Sequence, residues 1–150
     1  MQQYKYISLA NVIAAMLYQI SVSIPYAKRN FKTNLSNEQL FYMLKSLITY
    51  KKDPHKNELL QSVKTFCEGL YWGKPYMGDC DCFTIFSIAI FIANNRKNWA
   101  IVLVGNEPNS PRHVYAMIDG KSFDLTNDSF NVERPYKYKQ VLNANLWPIL

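Results

Sequence analysis

The chemistry-bearing residues of this chain fall into three short motifs in a fixed order. Cys80 stands in the run GDCDC, His113 opens the run HVYAMIDG, and Asp124 lies in SFDLT. A thiol attacks a carbonyl carbon as the thiolate, so it needs a base, and the base needs a partner that fixes its tautomer. The order thiol, imidazole, carboxylate therefore predicts covalent chemistry on an amide or ester carbonyl.

The spacing between His113 and Asp124 predicts a β-hairpin that brings their side chains together. Residues 113–118 alternate as a strand, an Asp-Gly pair gives a strong two-residue turn signal, and residues 121–126 return as a second strand. With that turn the two residues share a face as diagonal neighbours, roughly 7–8 Å apart at the backbone, and a hydrogen bond can close the gap. A loop one residue longer would put them on opposite faces.

Cys80 is predicted to lie at the start of a buried helix. The run from Phe83 to Ile92 is apolar almost all round and is followed by Arg96 and Lys97, which suit the last turn of a helix, although a buried strand also fits such a run. Unpaired N–H groups at a helix N-terminus favour a thiolate and can hold an oxyanion. Gly78 lacks a side chain, so we expect it to let a substrate backbone approach closely.

This arrangement resembles the transglutaminase-like cysteine peptidase superfamily, in particular its compact single-domain forms in bacteria and their phages. Members show a Gly-Asp-Cys-Asp-Asp type of motif at the head of a buried helix, then a strand beginning with His, then a strand carrying Asp. The runs GDCD, HVYAMID and FDLT match these motifs in order, and the resemblance spans about residues 50–142. Cys82 stands where the small forms often carry a second Asp.

The resemblance implies a role for each matched residue. Cys80 would be the nucleophile, His113 the base and acid, and Asp124 the carboxylate that orients the imidazole. Gln61 is a loose candidate for an upstream oxyanion donor. The resemblance also implies a papain-like or transglutaminase-like core and a peptide or protein amide as substrate, with peptidoglycan stem peptides among the candidates.

A zinc site of Cys80, Cys82 and His113 is the metal alternative. Zinc sites usually space paired cysteines by about two to four residues, so a Cys-x-Cys pair with one distant histidine is a poor template. We therefore expect no metal ion and no cofactor. Cys67 falls on the apolar face of a helical pattern and is predicted to be a small core residue.

Length and composition favour one domain over residues 1–150. Of the 150 residues, 49% are hydrophobic, which is enough to bury a core without covalent crosslinks. Three cysteines at these spacings argue against a disulfide framework. A reactive thiol fits synthesis in a reducing cytoplasm, with incorporation into a virion left open and secretion disfavoured.

Helical patterns precede strand patterns, which predicts an α+β fold with N-terminal helices packed on an antiparallel sheet. Residues 1–49 form the helical N-terminal part, with a capping box at Ser36 and Gln39. A third helix is predicted over about Asn57 to Tyr71, and a strong strand over Trp99 to Gly105. The motif-bearing core covers about residues 50–142.

The N-terminal segment, residues 7–24, admits a membrane anchor, a signal peptide or a packed helix. It is largely apolar, and basic residues flank it on both sides. Its apolar residues follow a helical period, and asparagine, glutamine and serine interrupt the run. The pattern favours a packed first helix.

The net charge of +6 suggests affinity for an acidic surface. Near the C-terminus Arg134, Lys137 and Lys139 alternate with Tyr136 and Tyr138. Interleaved basic and aromatic residues can bind nucleic acid, but the alternation is more typical of an edge strand with solvated lysines. We therefore do not expect nucleic acid as a partner.

Two classes of function fit the sequence. The first is a cysteine-dependent amide hydrolase or acyltransferase that forms a thioester on Cys80. The second is a structural or interaction protein that keeps the fold, such as a phage virion or assembly component. A thiol, an imidazole and a carboxylate on converging elements favour the enzyme, because a purely structural role needs none of the three.

Overall fold

The computed structural model describes residues 9–52 and 60–144. These ranges form a mixed α+β structure of helices and an antiparallel sheet. In chain order the elements are α1 (Leu9–Asn30), α2 (Asn37–Leu47), β1 (Thr49–Tyr50), α3 (Val63–Glu68), β2 (Met77–Gly78), α4 (Cys80–Ala93), β3 (Trp99–Gly105), β4 (His113–Ile118), β5 (Lys121–Phe123) and β6 (Tyr138–Asn143).

The sheet that carries His113 has the strand order β5-β4-β3-β6 and is antiparallel throughout. The side chains of β3 and β4 alternate between two buried layers. Ile101, Leu103, Val114 and Ala116 join the main core, which contains α4. Val102, Val104 and Tyr115 form a second, smaller apolar cluster on the opposite face. The predicted strand over Trp99 to Gly105 is confirmed.

Helix α4 is buried on almost every side, because α1 packs against it on one side and the sheet on the other. Its two hydroxyl side chains are satisfied within the helix: Thr84 donates to the carbonyl of Cys80, and Ser87 donates to that of Phe83, each at 2.7 Å. Such bonds to the preceding turn let polar residues lie in an apolar core without an unmet hydrogen bond.

The basic residues after α4 are placed differently from the prediction. The helix ends at Ala93, before Arg96 and Lys97. The Arg96 guanidinium leaves the helix and donates to Asn37 Oδ1, at 2.7 Å, and to the carbonyl of Leu35. Arg96 therefore holds the segment between α1 and α2 instead of complementing the dipole of α4.

The hairpin of β4 and β5 has the predicted two-residue turn. Ile118 pairs with Lys121 and Ala116 with Phe123, and both turn residues, Asp119 and Gly120, have positive φ angles, 54° and 76°. This is the backbone of the tight turns that suit the twist of a hairpin. The second strand is shorter than the predicted 121–126, because the chain turns away after Phe123.

Helix α1 buries one stripe of its surface, formed by Val12, Ile13, Met16, Leu17 and Ile20. These residues follow the helical period read from the sequence. By length and composition the span Ala10–Asn30 could cross a membrane, a test that core helices and signal sequences also pass, and 33% of its most apolar window is buried. The predicted segment 7–24 extends two residues beyond the described part of the chain.

Helix α2 begins with the predicted capping box: Ser36 Oγ accepts from the Gln39 amide, and the Gln39 side chain accepts from the Ser36 amide. Helix α3 is shorter than the predicted span from Asn57 to Tyr71, whose first three residues lie outside the described part. Ser62 caps its N-terminus, and Gly69, with a φ angle of 67°, ends it.

Two further expectations need correction. Leu70 falls within the predicted third helix, but it lies beyond the end of α3 and is exposed. The predicted edge strand begins at Tyr138, so it excludes Arg134, Tyr136 and Lys137. A short parallel pair, β1 with β2, joins residues distant in sequence and has no signal in the sequence.

Gly120→Ala tests the turn that sets the register of the hairpin. A Cβ at this position meets no atom within 4 Å, so the cost comes from the positive φ angle alone, about 1 kcal/mol in the free energy of unfolding measured with denaturant. Gly73→Ala is the matched control, since Gly73 has a φ angle of 78° and equally open surroundings. A neutral Gly120→Ala beside a destabilising Gly73→Ala would contradict the turn.

Candidate functional site

His113 and Asp124 form a buried hydrogen-bonded pair. His113 Nε2 lies 2.7 Å from Asp124 Oδ2, and the two residues are 9% and 4% exposed. The hairpin register produces this contact, as the sequence predicted from the diagonal relation across β4 and β5. Because Nε2 is engaged by the carboxylate, the other ring nitrogen, Nδ1, is left for proton transfer.

The second oxygen of Asp124 is held by Thr126. The Thr126 amide and hydroxyl both donate to Asp124 Oδ1, at 3.0 and 2.7 Å. Burial alone would raise the pKa of Asp124, but the hydrogen bonds from His113 and Thr126 outweigh it and lower the pKa below its ordinary value. The carboxylate is therefore ionised and fixed in orientation. Thr126 is a site residue that was not predicted from the sequence, although Asp-x-Thr is a local turn signal.

The same turn explains why β5 is short. The Asn127 amide donates to the Asp124 carbonyl at 2.9 Å, so the chain reverses at residues 124–127. In a hairpin with a two-residue turn, the pair that closes the turn is hydrogen-bonded, and so is every second pair beyond it. Val114 and Leu125 would form one of these hydrogen-bonded pairs, so the Val114 amide points toward the position of Leu125. Leu125 has already turned away from β4, and its carbonyl accepts from Lys45 Nζ instead.

Cys80 occupies the position that β5 leaves. It is the first residue of α4, and its sulfur accepts a hydrogen bond from the Val114 amide, next in the chain to His113. The N-terminus of α4 thus meets β4 at Val114, one residue along the chain from His113.

The charges around Cys80 oppose its ionisation. Burial raises the pKa of the thiol well above the ordinary value, the Asp81 and Asp79 carboxylates add to this, and the bond from Val114 only partly offsets them. The expectation that the helix N-terminus favours the thiolate is therefore wrong for this arrangement. Asp79 also caps α4, with its Oδ1 accepting from the Asp81 amide at 3.2 Å, so a carboxylate occupies the helix terminus.

No hydrogen bond joins Cys80 to His113 in the described part of the chain. Among the described residues, the His113 ring bonds Asp124 and, at 3.5 Å, the Thr126 hydroxyl. Catalytic hydrogen bonds are often long before a substrate is bound and tighten in the reacting complex. The structure therefore brings His113 to Asp124, and it places Cys80 at Val114, the residue that follows His113 in the chain.

Cys82 has a packing role. Its sulfur accepts from Gln61 Nε2 at 3.4 Å, and a Cβ on Gly78 would lie 2.7 Å from its Cβ and 2.9 Å from its sulfur. Gly78 is buried, so its missing side chain makes room for Cys82 and not for a substrate, contrary to the expectation from sequence. The second hydrogen of the Gln61 amide goes to the Met77 carbonyl at 3.0 Å, so Gln61 is not placed as an oxyanion donor.

The remaining cysteine, Cys67, lies in the core, and the potential metal ligands lie at the start of α4. Cys67 is buried, as predicted, and burial raises its pKa to about 12.

Within residues 9–52 and 60–144, the potential metal-ligating group is Asp79, Cys80 and Asp81, whose ligand atoms lie within 4.8 Å of one another. Cys82 and His113 do not join it, so the donor set is not that of the zinc alternative.

A groove of about 210 Å³ lies beside the sheet, between the 106–112 loop and the start of β6. Val104, the cross-strand partner of His113, lines it together with Tyr138 and Lys139. Cys80, His113 and Asp124 are not among its lining residues. The groove therefore adjoins the pair through β3 without opening onto the thiol.

No protein-family model, no curated protein and no solved structure matches this chain.

Asp124→Asn tests the lowered pKa through its effect on stability. A carboxyl whose pKa is lower in the folded state contributes stability above its unfolded pKa and loses it as the pH falls through the folded value. The substitution should therefore lower the free energy of unfolding by about 1–2 kcal/mol at pH 7, and this difference should shrink below about pH 4. Denaturant titrations at several pH values measure it.

Asp128→Asn is the matched control for this measurement. Asp128 belongs to the segment after the same turn, and its side chain is fully exposed 3.7 Å from Lys45 Nζ. A surface charge of this kind contributes little, so the control should show almost no difference at any pH. Equal pH profiles for the two variants would contradict the assignment of a stabilised Asp124 carboxylate.

Proposed function

We propose that the protein is a cysteine-dependent amide hydrolase or acyltransferase built on a transglutaminase-like, papain-like core. The observation that carries the proposal is the buried pair of His113 and Asp124, whose carboxylate is fixed at both oxygens, in a chain that also holds a thiol, Cys80, at the first position of a buried helix. Apolar residues of similar size would pack equally well at these two positions, so packing alone does not explain the pair. A thiol nucleophile, by contrast, requires a base and a carboxylate that orients it.

The proposed reaction proceeds through a thioester. Cys80 Sγ attacks the carbonyl carbon of an amide while His113 takes the thiol proton at Nδ1. The carbon–nitrogen bond then breaks, and His113 returns the proton to the leaving amine. Water, or a second amine, attacks the thioester, so that the sulfur–carbon bond breaks and the thiol is restored with a carboxylic acid or a new amide as product.

The protonation state at rest favours general-base catalysis over a preformed ion pair. Burial, Asp81 and Asp79 raise the pKa of the Cys80 thiol, so the sulfur carries its proton until a substrate is in place. His113 must then remove that proton as the carbon–sulfur bond forms. Asp124 stabilises the imidazolium that results and holds Nδ1 available, because Nε2 is already engaged.

The substrate class follows from the proposed chemistry. A thioester route suits a peptide or protein amide, and a peptidoglycan stem peptide is one such substrate. Water as the acceptor gives peptidase or deamidase activity, and a lysine amine gives a crosslink. The proposal includes synthesis in a reducing cytoplasm, with incorporation into a virion as a later destination, since the thiol must stay reduced.

A structural or interaction role is the second candidate, and specific observations favour it. Cys80 is only 5% exposed, its pKa is raised, and it shares no hydrogen bond with His113 among the described residues. In this case the His113–Asp124 pair would serve to fix the turn after β5, and the fold would act in an assembly, as in a virion component.

Acyl-enzyme formation separates the two candidates. With an activated ester or a peptide probe, mass spectrometry of the wild type should show one acyl group on Cys80. Cys80→Ala and His113→Ala should abolish it, and Asp124→Asn should slow it on the order of 10- to 10³-fold, because the imidazole loses its orienting charge. Cys82→Ala is the matched control and should keep acylation, since Cys82 contacts Gln61 and not the pair.

The opposite pattern would support the structural role. If the wild type forms no acyl-enzyme with peptide, glutamine or stem-peptide probes, and if Asp124→Asn mainly lowers the melting temperature, the pair holds the fold. Acylation of Cys82 in place of Cys80 would overturn the assignment of the nucleophile while leaving the enzyme candidate standing.

A further inference from the structure

The His113 ring stacks against two tyrosines. The Tyr115 centroid lies 5.7 Å away with an interplanar angle of 29°, and that of Tyr136 lies 6.4 Å away with an angle of 25°. Tyr115 is two residues further along β4, so its position follows from the strand period. Tyr136 comes from the segment that leads into β6 and brings a second aromatic face to the same imidazole.

The segment that carries Tyr136 is fixed to the sheet. Ser122 Oγ donates to the Val132 carbonyl at 3.0 Å, and Asn127 Nδ2 donates to the same carbonyl at 2.8 Å. Beyond it, the Glu133 carboxylate accepts from Lys139 Nζ on β6 at 3.0 and 3.1 Å. The segment is therefore tied on both sides, and Tyr136 packs onto the second apolar cluster, beside Tyr115.

The two rings are suited to a positive charge on His113. The face of an aromatic ring carries partial negative charge and attracts a cation, most strongly within about 6 Å of its centroid. The centroid of the His113 ring lies within this distance of Tyr115, at 5.7 Å, and slightly beyond it for Tyr136, at 6.4 Å. Burial and the Glu133 carboxylate raise the pKa of Tyr115, so its hydroxyl keeps its proton. A neutral imidazole gains little from such faces, whereas the imidazolium formed when His113 accepts a proton gains directly.

We propose that Tyr136, acting with Tyr115, is a positioning residue for His113: its ring stacks on the imidazole, fixes its plane and stabilises the imidazolium. The inference rests on the proposed function for its catalytic meaning. The physical claim, that the tyrosine rings bind the imidazolium more strongly than the neutral imidazole, can be measured without an activity assay.

The test compares Tyr136→Leu with Tyr136→Phe. NMR of the His113 ring protons as a function of pH should show a lower midpoint in Tyr136→Leu, by about half a pH unit, and an unchanged one in Tyr136→Phe, which keeps the aromatic face. The ring protons should also move downfield in Tyr136→Leu, because the shielding by the tyrosine ring is lost. Tyr18→Leu, at an exposed position on α1, is the control and should change neither.

The titratable groups on the elements around His113 are the same in Tyr136→Leu and Tyr136→Phe, so the difference reports on Tyr136. They are Asp124 after β5, Tyr115 on β4, Glu133 before β6, Lys139 on β6, and Cys80 with Asp79 and Asp81 at the start of α4. Tyr115→Phe provides a second ring-preserving variant, and its midpoint should stay close to that of the wild type.

Acylation kinetics then connect the stacking to the reaction. Tyr136→Leu should slow acylation of Cys80 by about 3- to 10-fold near the optimum, and the acid limb of its pH profile should move to lower pH. An unchanged NMR midpoint in Tyr136→Leu would overturn the inference. If the midpoint shifts in Tyr136→Leu but the wild type forms no acyl-enzyme, the stacking interaction is supported and the proposed function is rejected. Failure of the inference and failure of the proposed function therefore give different results.

Discussion

The Asp124 carboxylate is the interaction on which the site depends. One oxygen accepts from Thr126 and thereby turns the chain after Phe123, and the other meets His113 Nε2. The turn ends β5, and the end of β5 frees the Val114 amide for the sulfur of Cys80. A single buried carboxylate thus orients the imidazole and also opens the sheet edge at which the thiol lies.

Burial of α4 imposes the second constraint. A helix that is apolar on all sides must be covered by α1 and by the sheet, which leaves its two ends as the places that can carry polar groups. Gly78 and Cys82 fill the space behind this terminus so tightly that a Cβ on Gly78 does not fit. The terminus is therefore held rigidly, and the position of Cys80 relative to β4 is set by packing and not by loop geometry.

Local signals in the sequence predicted the elements that local chemistry controls. The Asp-Gly turn, the capping box at Ser36 and the apolar strand over Trp99 to Gly105 each depend on residues close together, and each is confirmed. The pairing of His113 with Asp124 followed from the turn alone. The predicted limits of α3 were wrong. The apolar helical period continues past Ser62 and Gly69, but the capping geometry of these two residues begins and ends the helix.

Long-range contacts were out of reach for the same physical reason. The parallel pair of β1 and β2 and the stacking of Tyr136 on His113 join elements whose relative placement only the folded chain defines. The pKa of Cys80 is raised, whereas the sequence predicted that the helix N-terminus would lower it. The sequence shows both neighbouring aspartates, but the helix terminus was given more weight than burial, which is the larger effect.

The charges at the start of α4 also decide how the proposed reaction would proceed. Asp79 and Asp81 lie at the positive end of the helix dipole, where carboxylates stabilise a helix, and they raise the energy of a thiolate at Cys80. The resting thiol and the thioester are both neutral, so neither is opposed by these carboxylates. Only a free thiolate is, which disfavours stepwise ionisation and favours attack in which His113 takes the proton as the carbon–sulfur bond forms. Two charges must then be stabilised along the proposed route: the imidazolium, beside which the Asp124 carboxylate lies, and the oxyanion of the tetrahedral intermediate.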